Sequence, residues 1–120
     1  MSIMAPPSAR FQNKTATILA GESLSSVIDC SDGALVFLHM PSDWTPAMLS
    51  FQVSPDGVKF NDLVDSHAIE LVMNVAAGTS VRVDPKWSPV TYLKIRSGER
   101  DAPVVQDADQ TITITIDTAA

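Results

Sequence analysis

The stretch Leu49-Ser50-Phe51-Gln52-Val53-Ser54-Pro55-Asp56-Gly57-Val58-Lys59-Phe60-Asn61-Asp62-Leu63 decides the fold class of this chain. Leu49, Phe51 and Val53 alternate with Ser50, Gln52 and Ser54, a period of two that sends one set of side chains to a buried face and the other to water. Pro55 presets φ for the first central position of a reversal, while Asp56 and Gly57 supply a side-chain bond to the backbone and a positive φ. Val58 and Phe60 restart the alternation. The run predicts a β-hairpin whose turn lies over 54–57.

Working outward, short alternating runs recur over 15–19, 25–29, 34–40, 48–54, 59–64, 69–74, 79–84, 91–96 and 111–116. Between them stand Ala20-Gly21-Glu22, Ser31-Asp32-Gly33, Pro55-Asp56-Gly57, Ala77-Gly78, Pro85-Lys86-Trp87-Ser88-Pro89 and Ser97-Gly98, residues that turns select. Nine short strands without a long helical period predict an antiparallel sandwich or barrel. Trp44 to Met48 could form one helical turn behind Ser42 or Asp43 as cap. Residues 1–14 hold adjacent prolines, Pro6 and Pro7, and no sustained period. They predict an extended N-terminal arm ahead of a single domain over 15–120.

Length and composition agree with one domain. A chain of 120 residues and 12.8 kDa, 45% hydrophobic and 18% charged, can bury a core and is not the composition of a disordered segment. The net charge of −6, with basic residues scattered singly, argues against a nucleic-acid surface. A lone cysteine, Cys30, forms no internal disulfide. Met1 to Pro7 lack a basic n-region and a long apolar segment, and no apolar run spans a bilayer. The expectation is a protein neither secreted by a standard signal nor held in a membrane.

The last strand is the plainest. Ile112, Ile114 and Ile116 share one face and Thr111, Thr113 and Thr115 the other. A strand with no charge along its length is an edge-pairing hazard unless covered, so it is either an edge or subunit seam, or a central strand paired on both sides.

Residue patterns for catalysis are sparse. His39 lies in the apolar run Leu35 to Met40 and His67 in a polar connection, neither with a second ligand at zinc spacing. No serine sits in G-x-S-x-G, no glycine-rich phosphate cradle occurs, and Cys30 has no context that lowers a thiol pKa. Asp56, Asp62 and Asp65 do not spell a calcium loop, since the spacing is wrong and no glutamate closes it. The reading is a non-enzyme without metal or cofactor. Among the aromatics that could stack on a sugar, Trp87, in its proline-flanked loop, is the candidate ligand-loop residue, and Tyr92 is close in sequence.

The strand, S-P-D-G turn and following aromatic strand resemble the hairpin of discoidin-like (galactose-binding-like) β-sandwich domains. With Met40-Pro41-Ser42-Asp43-Trp44-Thr45 before it and Ile95-Arg96-Ser97-Gly98 after it, the chain from Thr15 to Ile116 also resembles small structural proteins of tailed-phage particles. The first resemblance implies an all-β, antiparallel, jelly-roll-like sandwich of galactose-binding-like type. The second implies a virion protein, assembled in the host cytoplasm, that acts as capsid decoration or as a head- or tail-attached spike or fibre base. It also implies that Trp44 plugs one end of the sandwich. Expected partners are capsid or tail subunits and further copies of the chain, with contacts through Pro6, Pro7 and Phe11 of the arm and through Thr111, Thr113 and Thr115. A carbohydrate-binding module mediating surface attachment is the alternative, with a glycan as its ligand.

Overall fold

The computed structural model describes residues 10–84 and 90–119. Its strands are β1 (Phe11–Ile18), β2 (Ile28–Asp29), β3 (Ala34–His39), β4 (Leu49–Ser54), β5 (Asn61–Asp62), β6 (Ser80–Arg82), β7 (Tyr92–Glu99), β8 (Ala102–Pro103) and β9 (Gln110–Asp117). The pairing is nested: β4 with β5, β3 with β6, β2 with β7 and β1 with β9, all antiparallel. Two more ladders, β3 with β9 and β4 with β7, join these pairs into two sheets. Their orders are β1-β9-β3-β6 and β2-β7-β4-β5, with β8 attached to the end of β7. The protein is thus an all-β sandwich of two antiparallel sheets.

One core fills the space between the sheets. Ile18, Leu38, Ile112, Ile114 and Ile116 meet Ile28, Leu49, Phe51, Leu93 and Ile95 there, all buried. Each such side chain contributes about 1.5–3 kcal/mol when taken out of water. The isoleucines of β9 face inward and its threonines outward, as the alternation requires. In β3 strict alternation would put Leu35 and Leu38 on opposite faces. A bulge between Leu35 and Phe37 shifts the register, so both leucines reach the core and Phe37 and His39 point out.

The hairpin forms where expected. Gly57 has φ +79, and Ser54 Oγ accepts from the N–H groups of Asp56 (3.2 Å) and Gly57 (2.9 Å). Asp56 Oδ1 then accepts from Val58 (2.9 Å) and Lys59 (3.1 Å), so β5 begins only at Asn61. The Trp44 to Met48 segment is irregular rather than helical. Trp44 is buried in the core, and two buried glutamines hold the flanking backbone. Gln106 bonds the N–H and C=O of Thr45 (2.9 and 3.2 Å), and Gln110 donates to Asp43 O (3.0 Å).

Four expectations need adjustment. β9 is a central strand between β1 and β3, which resolves the choice between edge and centre: its charge-free stretch 111–116 is shielded on both sides. The arm boundary at Lys14 falls inside β1, because 11–14 pair with 114–117 despite lacking apolar alternation. The run 69–74 makes only isolated bridges, Glu70 with Val64 and Met73 with Leu49. Ser97 and Gly98 lie within β7 instead of ending it: Gly98, at φ +89, pairs with Pro103 where a Cβ would stand 2.6 Å from Ala102 O. Pro6, Pro7 and Trp87 lie outside the described residues.

Candidate interaction surface

Strand parity places one continuous set of side chains on the outer face of the β1-β9-β3-β6 sheet. β1 contributes Asn13, Thr15 and Thr17, β9 contributes Thr111, Thr113 and Thr115, β3 contributes Phe37 and His39, and β6 contributes Ser80 and Arg82. Registers set the rows: Thr17 faces Thr111, Thr15 faces Thr113, and Asn13, Thr115, Phe37 and Arg82 form one line across four strands.

A hydrogen-bonded chain crosses this face. Thr115 Oγ1 donates to Asn13 Oδ1 (2.7 Å), so its oxygen is left to accept from His39 Nε2 (2.9 Å). The other ring nitrogen, Nδ1, then accepts the Ser80 hydroxyl (2.7 Å). Each donor has one acceptor and all four strands are linked. The imidazole thus acts as a spacer between two hydroxyls.

Aromatic rings lie beside the hydroxyls. The Arg82 guanidinium stacks over the Phe37 ring at 5.1 Å, and Phe37 stacks on His39 at 5.9 Å between centroids. At the end of β1, Arg10 lies 5.3 Å over Phe11 and grips Asp117 with both Nε (2.8 Å) and a terminal nitrogen (2.9 Å). That bidentate contact, chiefly its side-chain hydrogen bond, lowers the Asp117 carboxyl below its ordinary value. Asp117 is the sole carboxylate among the strand residues of this face, and it is neutralised, in a chain with 14 acidic residues.

Four of the expected contact residues therefore come together on this sheet: Phe11, Thr111, Thr113 and Thr115. Sequence reasoning did not gather Asn13, Phe37, His39, Ser80 and Arg82 beside them. The signal was present as parity, since Phe37 and His39 alternate with Leu38, and Ser80 and Arg82 with Val81 and Val83, but pairing across strands cannot be read from one strand.

Other candidate groups have local duties. Asp56 caps its turn, Asp62 binds Arg96, and Asp65 accepts from the N–H groups of His67 (2.7 Å) and Ile69 (3.1 Å). The three carboxylates share no site. Burial pushes the Cys30 thiol up to about 11, so it stays protonated at neutral pH. Tyr92 lies with its ring against Gly57. A cleft of about 370 Å³ opens between Val53, Ser54, Pro55, Asn61, Leu63, Val90 and Thr91. Comparison with protein-family models, with curated proteins and with solved structures found no match to this chain.

Proposed function

We propose that this domain is a non-enzymatic structural protein of a tailed-phage-like particle, placed as capsid decoration or as a head- or tail-attached spike or fibre base. The observation that carries the reading is the strand order. Nested pairs closed into β1-β9-β3-β6 over β2-β7-β4-β5 are what results when one long antiparallel ribbon is rolled up. We read that order as a jelly roll, of the galactose-binding-like kind, an architecture that viral capsid subunits and lectin domains share. Fold alone does not choose between those two uses. The open face of the β1-β9-β3-β6 sheet favours the first, because its polar groups are spent on one another across strands and leave a broad surface suited to burial against neighbouring subunits. Its partners are capsid or tail subunits, reached in the host cytoplasm during assembly. Among the described residues no helix is long and apolar enough to cross a membrane.

The carbohydrate-binding alternative is favoured by the cleft at Ser54, Asn61 and Thr91, where amide and hydroxyl groups line a hollow beside apolar carbons. Particles banded from producing cells and quantified by mass spectrometry separate the two. The structural reading expects this chain at a fixed ratio to the major capsid protein. A chain that remains entirely in the free protein fraction overturns it, and saturable binding on a glycan array by that free chain would favour the carbohydrate module.

A further inference from the structure

The two sheets have four edges, and they are unequal. β2 and β5 are two residues long and β6 is three, whereas β1 runs for eight. Past β5 the chain covers its own edge: Leu63 N–H donates to Phe51 O (2.9 Å), Leu71 N–H to Leu63 O (3.1 Å), and Leu49 and Met73 exchange both bonds at 2.9 Å. Among the described residues nothing comparable is found along the first half of β1.

Which backbone groups of β1 face outward follows from two contacts. Thr118 N–H donates to Arg10 O (2.8 Å), so even-numbered residues turn their backbone groups toward β9. Thr17 turns the other way: its C=O accepts from Ser26 N–H (3.0 Å) and its N–H donates to Ser26 Oγ (3.2 Å). Phe11, Asn13 and Thr15 share the parity of Thr17, and among the described residues no partner is found for their N–H and C=O groups. Ser26 closes the edge at one end and leaves it open from Phe11 to Thr15. An uncovered row of this kind is a template for another strand.

We propose that this edge pairs antiparallel with the same edge of a second copy, making one continuous eight-stranded sheet from two four-stranded ones. A two-fold axis at Asn13 suits the sequence. It sets Phe11 opposite Thr15 and Gln12 opposite Lys14, so no like charges face each other across the junction. Phe11, 40% exposed in the single chain, gains the methyl-bearing side chain of Thr15 as cover. Charge points the same way. A chain of net charge −6 repels itself over most of its surface, but here the carboxylates of Asp117 and Asp32 are held by Arg10 and Lys14. Each of the three open residues then exchanges its N–H and its C=O with the other copy, and the hydroxyl rows of the outer face run on across the axis. The inference is independent of the particle reading, since the dimer forms from purified chain alone.

The test is sedimentation of the full chain over a wide concentration range, with amide exchange read residue by residue. The parent is expected to approach twice 12.8 kDa. Thr15→Pro removes only an outward N–H, keeping the ladder to β9, and should weaken self-association about tenfold or more. The amides of Phe11, Asn13 and Thr15 should become protected as the dimer forms, while those of Gln12 and Lys14 are protected throughout. A parent that stays monomeric overturns the proposal and leaves the edge to a strand of some other protein. So does a Thr15→Pro variant that dimerises as well as the parent. Should that variant fail to fold, the parent's amides decide: edge amides that exchange freely in the dimer overturn the proposal, and concentration-dependent protection of the odd-numbered amides upholds it.

Discussion

The two sheets of this sandwich share one core but treat their outer faces in opposite ways. Over the β2-β7-β4-β5 sheet the chain folds back on itself. Arg96 on β7 is buried beneath Asp62 (2.5 Å) and Glu70 (3.5 Å), with Ser50 at 3.2 Å, and Lys94 lies 4.7 Å over the Phe60 ring. Over the other sheet no segment returns among the described residues, and Thr15, Thr111 and Arg82 stay exposed. A buried cation holds one face shut, and the other, with its hydroxyls and Arg82, stays open. The difference teaches where stability and contact are separately stored: substitutions on the closed face should lower the melt, and those on the open face should act on association.

The largest expected effect tests that separation with two arginines. Arg96→Ala leaves the Glu70 carboxylate and the Ser50 hydroxyl without their buried cation, and should cost about 3 kcal/mol in urea unfolding. Arg82→Ala removes an exposed stacking contact and should cost about 0.5 kcal/mol or less. Equal losses would erase the contrast between the faces. Next comes the edge of the open sheet. A chain lacking residues 1–14 loses the bidentate Arg10 contact and the rungs facing Ile114 and Ile116, so it should melt lower than one lacking 1–9. Identical melts would mean that the first half of β1 adds nothing to the sandwich.

That boundary shows what the sequence could and could not disclose. The strands whose alternation reports burial were legible: β4, β7 and β9 each turn one apolar face to the core between the sheets. The start of β1 was not, because Phe11 to Lys14 carry no apolar period; they are strand residues through their pairing with 114–117, a tertiary cause. The run 69–74 has the right alternation, yet Asp65 and Glu70 draw its backbone and side chains into local turns and ion pairs, leaving only bridges. Of the candidate surface, the threonines of β9 could be named in advance. His39 could not be placed beside them, since its partners lie 41 and 76 residues away in the chain.

At the β4–β5 turn the expected effects are moderate. Gly57→Val forces a branched side chain into φ +79 with the Tyr92 ring 3.3 Å from its Cβ, and should cost about 1–2 kcal/mol. An unchanged melt would contradict the turn geometry. The same turn gives the closed sheet an acid dependence. Backbone N–H groups of Val58 and Lys59 lower the Asp56 carboxyl to about 2, and the Arg96 hydrogen bond lowers that of Asp62. A carboxyl with a depressed folded pKa stabilises above its unfolded value, about 4, and loses that contribution as pH falls through the folded one. Stability should therefore decline as pH drops from about 4 toward about 2. Asp56→Asn, which keeps an acceptor oxygen but not the titration, should flatten that decline. A slope equal to the parent's would remove Asp56 from the account.

The smallest predicted change is the most discriminating, because it swaps hydroxyls at matched central-strand positions. Ser50, on β4, is buried; its hydroxyl donates to Gly98 O (2.7 Å) and accepts from Arg96. Ser50→Ala leaves a buried carbonyl and a guanidinium N–H short of a partner, and should cost about 1–2 kcal/mol. Thr113, on β9, faces outward and is half-buried, between Thr15 and His39 in register. Thr113→Val keeps the branched shape that suits a strand and removes only a hydroxyl that water can replace. Its effect on the melt should fall within about 0.5 kcal/mol of zero. If Thr113→Val instead destabilises the isolated domain as much as Ser50→Ala does, the outer hydroxyls carry the fold themselves. The open face would then be a second structural layer, and the surface that meets other subunits would have to lie at the loops.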